Sequence, residues 1–334
     1  MTDTASQAFI IVGGAGFIGS HFIDRLLADS QVSKVTIYDN FSSGREWHYA
    51  HHVNDTRFAV VRADVHDLAP LQAAVKDHDV CILLAANPDI AAAVEDPDID
   101  FREGTMLTRN VLEAMRQSDC RQLLYASGSG VYGDFGSQEM AEDHGGARPI
   151  STYGASKLAC EALISAYCHM FGLTARCFRF GNVIGPRQTH GVGYDFVRKL
   201  RTDPARLEIL GDGKQSKSYI HVDDTVNAVL VAHAECSDGF NVFNAATGDY
   251  ITVAEIADLA VEALGLDHSK VVYEFTGGDR GWKGDVPVVR LNCDRLQGLG
   301  WRCQNSTRQA MRRSLKALVD DLDNNQPPAA GEAR

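Results

Sequence analysis

Residues 9–19 read Phe-Ile-Ile-Val-Gly-Gly-Ala-Gly-Phe-Ile-Gly, and this stretch decides the fold of the chain. Four apolar residues typical of a buried strand run directly into a glycine turn, and a helical pattern follows. Gly13 permits the tight turn, Gly16 lets the backbone approach a ligand, and Gly19 lets the helix pack closely on the strand. The helix N-terminus would then present free N–H groups, which is the geometry that a dinucleotide pyrophosphate requires. A lone glycine motif is weak evidence, but here the context fits on both sides.

Around this stretch, short apolar segments alternate with longer helical patterns. The predicted strands are Phe9–Val12, Lys34–Tyr38, Phe58–Arg62, Val80–Ala85, Gln122–Ala126 and Thr174–Phe180. Such alternation predicts an α/β fold, namely a Rossmann doubly wound parallel sheet with helices on both faces. We expect residues 1–185 to form this dinucleotide-binding Rossmann domain and residues 219–248 to return to it. Residues 186–218 and 249–323 are expected to form a smaller α/β substrate-binding lobe, and 324–334 a flexible tail.

The second half of the chain contains one helix with readable ends. Thr252 and Glu255 have the spacing of a capping box, Ile251 and Ile256 that of a hydrophobic staple, and Gly265 that of a stop. Helices are also predicted at 222–234 and 307–322, whereas residues 187–217 are rich in loop formers.

The second predicted strand ends at Asp39, 20 residues beyond Gly19. A carboxylate there can accept hydrogen bonds from both ribose hydroxyls of an adenosine and would repel a 2′-phosphate, so NAD is favoured over NADP. The alternative is that Asp39 is an ordinary turn residue before Asn40. Asp64 and Val65 follow the third strand, where the adenine ring would lie, although strand-end aspartates are common turn formers.

Tyr153 and Lys157 are four residues apart, which places both on one face of a helix. A phenol acts as a base at neutral pH only when a nearby cation stabilises its phenolate. The Lys157 ammonium can do this together with the positive ring of oxidised NAD, and the phenolate could then take a proton from a sugar hydroxyl. A pair at this spacing is also common on surface helices, so its weight comes from the glycine motif in the same chain.

Together, these motifs resemble the extended short-chain dehydrogenase/reductase family, in the nucleotide-sugar epimerase/dehydratase branch typified by UDP-glucose 4-epimerase. The resemblance runs from Ile10 to about Trp301. It rests on Gly13–Gly19, Asp39, Leu84–Asn87, Val131–Gly133, Tyr153 with Lys157, Phe180–Pro186 and Tyr219–Asp224. It implies an NAD-dependent enzyme that acts on a nucleotide-diphosphate sugar, with UDP-sugars favoured.

The resemblance also implies which residues contact the ligands. For NAD these are Gly13, Gly16, Phe17, Ile18, Gly19, Asp39, Asn40, Asp64, Val65, Leu84, Ala85, Ala86, Tyr153 and Lys157. For the nucleotide sugar they are Asn87, Asn182, Val192, Lys217 and Arg280, with Lys283 as a rival of Arg280. The family commonly has arginine in place of Lys217, and lysine offers a point charge instead of a bidentate fork. No metal site is expected, because no second ligand lies at helical or turn spacing from His190.

The chain departs from the family at two glycines. The family usually has Ser or Thr in place of Gly128, and that hydroxyl hydrogen-bonds to the reacting sugar hydroxyl. Ser127, Ser129 or a water could take its role. Gly104 stands where the family usually has Asn. The related 4,6-dehydratases carry Asp and Glu at the positions of Ser129 and Gly130, and sugar-acid decarboxylases usually carry Glu at the second, so this segment favours epimerisation.

Three functions are therefore considered. The favoured one is an NAD-dependent epimerase that acts at C4 through a transient keto intermediate, with tightly bound NAD. The alternative is a nucleotide-sugar dehydratase or oxidoreductase with an atypical site at Gly128. A non-catalytic NAD-sensing protein is the third, which the loss of the hydroxyl at Gly128 supports and the presence of both Tyr153 and Lys157 argues against.

Composition narrows the setting in which the chain works. The formal net charge of -12 would repel a phosphate backbone, so no nucleic-acid partner is expected. Residues 80–86 form an apolar run too short to span a bilayer, and residues 1–7 lack signal-peptide features. No pair of the eight cysteines has CxxC spacing, which favours reduced thiols in a cytoplasmic protein.

Two helical segments carry apolar stripes that could serve two purposes. Leu107, Val111, Ala114 and Met115 share one face of the first, and Leu158, Ala162, Ala166 and Met170 share one face of the second. Both stripes could simply pack on the sheet. The family habit of pairing through such helices favours a homodimer.

Overall fold

The computed structural model describes residues 6–237 and 239–324. In chain order its strands are β1 (Gln7–Val12), β2 (Val32–Asp39), β3 (Phe58–Arg62), β4 (Val80–Leu83), β5 (Gln122–Gly128), β6 (Thr174–Phe180), β7 (Asn182–Ile184), β8 (Arg206–Ile209), β9 (Ser216–Lys217), β10 (Tyr219–His221), β11 (Phe240–Ala245), β12 (Ile251–Thr252) and β13 (Val272–Phe275).

Helices cover most of the remaining chain. They are α1 (Phe17–Leu27), α2 (Leu68–Val75), α3 (Leu107–Arg116), α4 (Thr152–Phe171), α5 (Val192–Thr202), α6 (Val222–Glu235), α7 (Val253–Ala263), α8 (Asp294–Gly298) and α9 (Thr307–Asn324). A π-helical turn (Phe101–Met106) precedes α3, and short 3₁₀ turns include Glu46–His48, Ala50–His52 and Ser129–Val131.

A seven-stranded parallel sheet organises the fold, in the spatial order β3-β2-β1-β4-β5-β6-β11. The predicted α/β class with a doubly wound parallel sheet is confirmed, and each of the six predicted strands has a counterpart in it. β2 and β4 lie on opposite sides of β1, so the direction in which the chain adds strands reverses at β1. Ligands bind at such a switch point, beyond the carboxyl ends of the strands.

Strands β1 and β4 at the centre of the sheet are buried on both faces, which explains their near-continuous apolar sequence, whereas the edge strand β3 is largely exposed. α1 and α6 pack together on one face, and α2, α3 and α4 cover the other. A third apolar cluster lies in the second half of the chain, where α5, α7 and α9 pack against one another.

The predicted ends of α7 are confirmed, because Thr252 and Glu255 form the reciprocal capping box and Gly265 adopts a left-handed φ of +66°. Residues 187–217 differ from the expectation, since they contain α5, β8 and β9 as well as loops. Tertiary packing explains why α5 forms despite its glycine. Gly193 packs so closely on α9 that a Cβ there would lie 3.3 Å from Leu315.

The two apolar stripes have different surroundings. Leu107, Val111, Ala114 and Met115 of α3 are all buried against the sheet. On α4, Ala162 and Ala166 are exposed, and Met170 is 67% exposed. The first stripe therefore builds the core, whereas much of the second faces outward.

Within the described ranges, no helix combines the length and the apolar character needed to cross a membrane. The predicted tail lies outside the described residues from 325 onward, and so do residues 1–5.

Candidate active site

The turn between β1 and α1 is packed so tightly that side chains are excluded from most of it. Gly13 has a φ of +85°, and a Cβ there would lie 2.6 Å from the backbone nitrogen of Ala85. A Cβ on Gly19 would lie 2.6 Å from the carbonyl oxygen of Gly14. At Gly16, where α1 begins, the nearest described atom to a Cβ would be 3.3 Å away. The turn is thus tightly packed at Gly13 and Gly19 and still close at Gly16, where α1 begins and where a phosphate can meet the free N–H groups of the helix.

Asp39 ends β2 beside this turn. Its Oδ2 accepts a hydrogen bond from the Ala15 amide (2.9 Å), and its Oδ1 accepts one from the Phe41 amide (2.7 Å). Burial raises the pKa of Asp39, and these two amides act in the opposite direction. A carboxylate has about four lone-pair positions, so Asp39 can still accept hydrogen bonds from two ribose hydroxyls.

The predicted adenine end is held by hydrogen bonds between neighbouring strands. The Asn40 side-chain amide donates to Asp64 Oδ2 (3.0 Å), and the Tyr38 hydroxyl donates to the Asp64 carbonyl (2.8 Å). Val65 is 6% exposed. Asn40 and Asp64 therefore lie together beyond the carboxyl ends of β2 and β3, and their contacts with an adenine stay a prediction, as does that of Val65.

The residues after β4 lie on the other side of the glycine turn. Leu84 and Ala85 both donate their amides to the Val12 carbonyl, at 2.9 and 3.0 Å. Ala86 follows at the surface of the cleft and is half-buried, as is Ile18 at the start of α1, whereas Phe17 beside it is buried. Leu84 and Ala85 therefore lie against the carboxyl end of β1, and their predicted contacts with the cofactor stay a prediction.

α4 brings Tyr153 and Lys157 to the carboxyl end of β5. The helix begins after Ser151, whose hydroxyl accepts a hydrogen bond from the Gly154 amide (3.1 Å). Lys157 is only 4% exposed, and its ammonium donates to the Ala126 carbonyl at 2.7 Å. The Lys157 ammonium lies 5.5 Å from the centroid of the half-buried Tyr153 ring. Two of its three donors remain for a bound ligand.

The segment 127–130 packs against the start of this helix. A Cβ on Gly154 would lie 2.4 Å from the carbonyl oxygen of Gly130, so the two backbones are in close contact. No described atom lies within 4 Å of a Cβ placed on Gly128. The Ser127 hydroxyl donates to Glu161 (2.6 Å), whereas the half-buried Ser129 hydroxyl has no hydrogen-bond partner among the described residues. Of the two candidate hydroxyls, Ser129 is therefore the one left available.

The sequence analysis missed a buried ion pair beneath the Tyr153–Lys157 pair. Glu161 on α4 binds Arg179 of β6, with Nη2 to Oε2 at 2.6 Å, and their side chains are 5% and 8% exposed. Together with Ser127 it connects α4, β5 and β6. Glu161 follows Lys157 by four residues, so the helical spacing could have shown that both lie on one face.

Asn87 lies near the first residues of α4 but is already fully engaged. Its side-chain amide donates to the Asp89 carbonyl (2.8 Å) and to Asp100 Oδ1 (2.9 Å). Asp100 in turn accepts from the Thr152 hydroxyl (2.7 Å), next to Tyr153. In this arrangement Asn87 supports the wall of the site, and a substrate contact would require the amide to exchange partners.

Gly104 has a structural explanation that the sequence did not supply. It lies in the π-helical turn before α3, where a Cβ would come 2.2 Å from the Ser156 hydroxyl of α4. Ser156 also bonds to the neighbouring Thr105 hydroxyl (3.0 Å). The glycine therefore allows the two helical segments to approach.

The two cations predicted to bind the nucleotide sugar both contact Asp285, a residue that the sequence analysis did not single out. Asp285 binds the Lys217 ammonium, and its backbone carbonyl accepts a hydrogen bond from Arg280 (2.6 Å). The other side of the Arg280 guanidinium binds Asp134 at 2.6 Å. The rival cation Lys283 is exposed nearby. Lys217 and Arg280 are thus neighbours, but acidic groups already balance both.

The remaining predicted substrate residues open secondary-structure elements in the same region. Asn182 is the first residue of β7, and its backbone amide donates to the Ser218 carbonyl (3.1 Å). Val192 is the first residue of α5 and follows Gly191, whose φ is +97°. Because Ser218 directly follows Lys217, Asn182 and Lys217 lie close in space.

Comparison with known proteins identifies the family. A model described as the NAD dependent epimerase/dehydratase family matches residues 9–246. The chain belongs to the NAD-dependent epimerase/dehydratase family. It is 33% identical to the UDP-glucose 4-epimerase of Mycolicibacterium smegmatis, over 92% of this chain and 97% of that protein.

Two solved structures of similar chains extend this result. The crystal structure of a UDP-galactose 4-epimerase superposes with a TM-score of 0.83 at 34% identity, covering 94% of this chain and 99% of that one. A dTDP-glucose 4,6-dehydratase from Streptomyces venezuelae, solved with NAD and TYD bound, gives a TM-score of 0.86 at 25% identity, covering 95% and 98%. The predicted recognition as an extended short-chain dehydrogenase/reductase is confirmed.

As a member of this family the chain is an NAD-dependent enzyme, and its own residues fit the cofactor. The glycines of the turn leave the N-terminus of α1 without a side chain at Gly16, where the pyrophosphate would bind, and Asp39 retains accepting capacity beside it. A 2′-phosphate would meet this carboxylate, so the geometry agrees with NAD. Both epimerases and dehydratases occur among the relatives, so the reaction type has to be argued from the residues of this chain.

Proposed function

We propose that the protein is an NAD-dependent epimerase that inverts C4 of a nucleotide-diphosphate sugar, with a UDP-sugar favoured. The observation that carries this proposal is the position of Tyr153 and Lys157, which lie together at the carboxyl end of β5, on the same edge of the sheet as the cofactor turn that follows β1. The UDP preference is supported by the relatives named UDP-glucose and UDP-galactose 4-epimerase.

In this mechanism, the turn 13–19 and Asp39 would hold NAD, which when bound would supply the hydride acceptor and donor for C4. Tyr153, as a phenolate, takes the proton of the C4 hydroxyl and gives a proton back to the same oxygen. Lys157 stabilises the phenolate, and its two free donors suit the nicotinamide ribose. The keto sugar must turn over within the site before reduction on its other face, so no net oxidation occurs.

Elimination of water would need an additional acid and base near the sugar. The positions that hold them in the resembling dehydratases are Ser129 and Gly130. The two carboxylates next to the catalytic pair are also engaged, because Glu161 binds Arg179 and Asp100 binds Thr152. This arrangement favours epimerisation.

We propose that Lys217 and Arg280 bind the diphosphate, with Asn182 and the start of α5 at Val192 beside it, and Asn87 near the sugar. Binding of the diphosphate must compete with Asp285, which now holds Lys217. Because a phosphate carries more charge and more acceptors than one carboxylate, the exchange is favourable when substrate enters.

The second candidate is a nucleotide-sugar dehydratase or oxidoreductase that uses an atypical site around Gly128. The TM-score of 0.86 to the dTDP-glucose 4,6-dehydratase and the open space at Gly128 support it. A non-catalytic NAD-sensing protein is the third candidate.

Product analysis tests these candidates directly. The full chain is incubated with a panel of UDP-, GDP-, CDP- and dTDP-sugars, and products are followed by mass spectrometry and NMR. An epimerase gives a stereoisomer of unchanged mass inverted at C4, whereas a dehydratase gives loss of water. Absence of turnover on the whole panel, with NAD still bound, would instead favour the sensor.

We further propose a homodimer that pairs through α4. Its outward stripe includes the exposed residues Ala162, Ala166 and Met170, and Phe101 and Met106 lie exposed on the adjacent π-helical turn. Light scattering should give twice the chain mass, and Ala166→Glu should yield the monomer mass. A monomeric wild-type chain would contradict the proposal.

For the compartment, we propose a reducing one such as the cytoplasm. All eight cysteines are free thiols, and burial raises the pKa of Cys120 and Cys293 to about 12, which keeps them unreactive.

A further inference from the structure

A cluster of metal-ligating side chains lies outside the active site, on the outer side of α1. Asp24 belongs to that helix, and His51 and His52 belong to the 3₁₀ turn Ala50–His52. The Nε2 atoms of His51 and His52 lie 2.8 and 2.7 Å from the same oxygen, Oδ1 of Asp24. None of these residues takes part in the proposed reaction.

The chemistry of the cluster suits a transition-metal ion. Two imidazole nitrogens and one carboxylate oxygen lie within 4.8 Å of one another. Zn²⁺ binds such nitrogens and oxygens at about 2.0–2.2 Å, so ligands around a tetrahedral ion lie roughly 3.3 Å apart. Each imidazole nitrogen now lies 2.7–2.8 Å from Asp24 Oδ1 and would have to move about 0.5 Å farther from it, and a water would complete the coordination.

Arg187 provides the support that a metal-binding carboxylate usually has. Its guanidinium binds the second oxygen of Asp24, Oδ2, which leaves Oδ1 directed at the imidazoles. It also donates to the His48 carbonyl (2.9 Å). Burial opposes ionisation of Asp24, but Arg187 and the two histidines lower its pKa to about 2. Hydrogen bonds to the outer oxygen of a ligating carboxylate orient it toward the metal.

We propose that Asp24, His51 and His52 bind one divalent transition-metal ion of the zinc class. The ion would be structural, and it would join the segment 45–52 to α1. This segment contacts the cofactor turn, because the Arg45 amide donates to the Ala15 carbonyl (3.0 Å) and His48 Nδ1 lies 2.7 Å from the same oxygen. A bound ion would therefore stabilise the wall beside the adenosine half of the cofactor site.

The spacing along the chain concealed this site. His51 and His52 are adjacent, but Asp24 lies 27 residues before the first of them. Only the packing of the 3₁₀ turn on α1 brings the three together. The positive charge of Arg187 also lowers the attraction for a cation, so the site should bind more weakly than an all-cysteine structural site.

The test uses untagged full-length protein and Co²⁺, whose visible spectrum reports its ligands. The wild type should bind one equivalent in equilibrium dialysis, with d–d bands of a nitrogen/oxygen site, and Zn²⁺ should displace it. His51 is 54% exposed, so His51→Ala should fold normally and lose that equivalent. The matched control is His268→Ala, because His268 is 53% exposed and lies 3.9 Å from a single carboxylate, Asp258.

Thermal denaturation gives a second measurement that is independent of catalysis. Zn²⁺ should raise the Tm of the wild type and of His268→Ala, because ligand binding to the folded state stabilises it, but not the Tm of His51→Ala. The proposal fails if the wild type binds no equivalent, if His51→Ala retains it, or if the spectrum shows thiolate charge transfer. Any of these would mean that Asp24, His51 and His52 form a hydrogen-bonded cluster only.

Discussion

The two glycine-rich stretches that border the active site differ in what their glycines do. In the cofactor turn, a Cβ on Gly13 or Gly19 would lie 2.6 Å from a neighbouring backbone atom. In the stretch 127–130, a Cβ on Gly128 would meet no described atom within 4 Å, and its φ of -161° is ordinary extended backbone. The first set is required by packing, whereas Gly128 is not.

The comparison distinguishes glycines that the backbone packing requires from a glycine that it does not require. Gly13 follows from how the turn folds, so any chain that binds a dinucleotide this way needs it. The absence of a side chain at Gly128 has no such explanation, so its origin is to be sought in the substrate or the reaction. Tyr153 lies where α4 meets the second stretch, because the start of α4 packs on the carbonyl of Gly130 and the Lys157 ammonium donates to the Ala126 carbonyl just before that stretch.

The largest effect is expected at this meeting point. Tyr153→Phe removes the proton acceptor, and we expect turnover to fall by about 10²–10⁴-fold or below detection. Bound NAD and nucleotide-sugar affinity should remain, as measured by released NAD and by calorimetry. Tyr167→Phe, which removes a phenol from the same helix, is the control and should leave turnover unchanged. Full activity of Tyr153→Phe would remove the basis of the catalytic assignment.

The next largest effect tests the packed side of the comparison. Gly13→Ala introduces a left-handed alanine and a 2.6 Å contact with Ala85, which together should cost about 2–4 kcal/mol of unfolding free energy and most of the bound NAD. Gly136→Ala is a matched control, because Gly136 has a φ of +59° but open surroundings. Urea denaturation of both variants isolates the contact from the dihedral strain, and equal losses would mean that close packing in the turn is unimportant.

The regular parts of the molecule could be predicted because local signals and tertiary structure agree there. The glycine turn, the six strands and the capping box of Thr252 all combine a residue pattern with the conformation that it favours. α5 was missed because Gly193 weakens its helical pattern and is compensated by packing on α9. The family and the cofactor NAD could be predicted from motifs at the carboxyl ends of the strands, because the strand order alone determines where these ends lie.

The details of the site depend on contacts between residues far apart in the chain. Asp285 lies 68 residues after Lys217, and Asp134 lies 146 residues before Arg280, so no spacing rule indicates that these carboxylates balance the predicted cations. The same holds for Gly104, whose role appears only when Ser156 of α4 is placed against it. Where the conformation of a loop determines which residues meet, a sequence pattern predicts the type of a residue but not the residue that it contacts.

Lowering the pH should decrease the unfolding free energy through His48, which packs on the cofactor turn. Burial lowers the pKa of His48 from 6.5 to about 4 in the folded protein. The unfolded chain therefore takes up a proton first as pH falls, so unfolding free energy decreases between about pH 6.5 and 4 and is unaffected above that window. In His48→Gln this pH dependence should be weaker by at most ~1.4 kcal/mol per pH unit. Urea denaturation from pH 7.5 to 4.5 measures it, with the exposed His268→Gln as control; identical slopes for wild type and His48→Gln would show that His48 does not titrate in this way.

The smallest effect on stability is expected at the open side of the comparison. Gly128→Ser places a hydroxyl where no described atom opposes it, so unfolding free energy should be unchanged or rise by up to about 1 kcal/mol, because serine has less backbone freedom to lose on folding. If the sugar hydroxyl lacks a partner in the wild type, one added hydrogen bond should raise turnover by up to about tenfold. Gly130→Ser is the matched control, since a Cβ there makes only an ordinary 3.5 Å contact with Gly154, and it should give no gain. A fall in turnover specific to Gly128→Ser would mean that the substrate itself occupies the space, and the glycine would then be a determinant of which sugar the enzyme accepts.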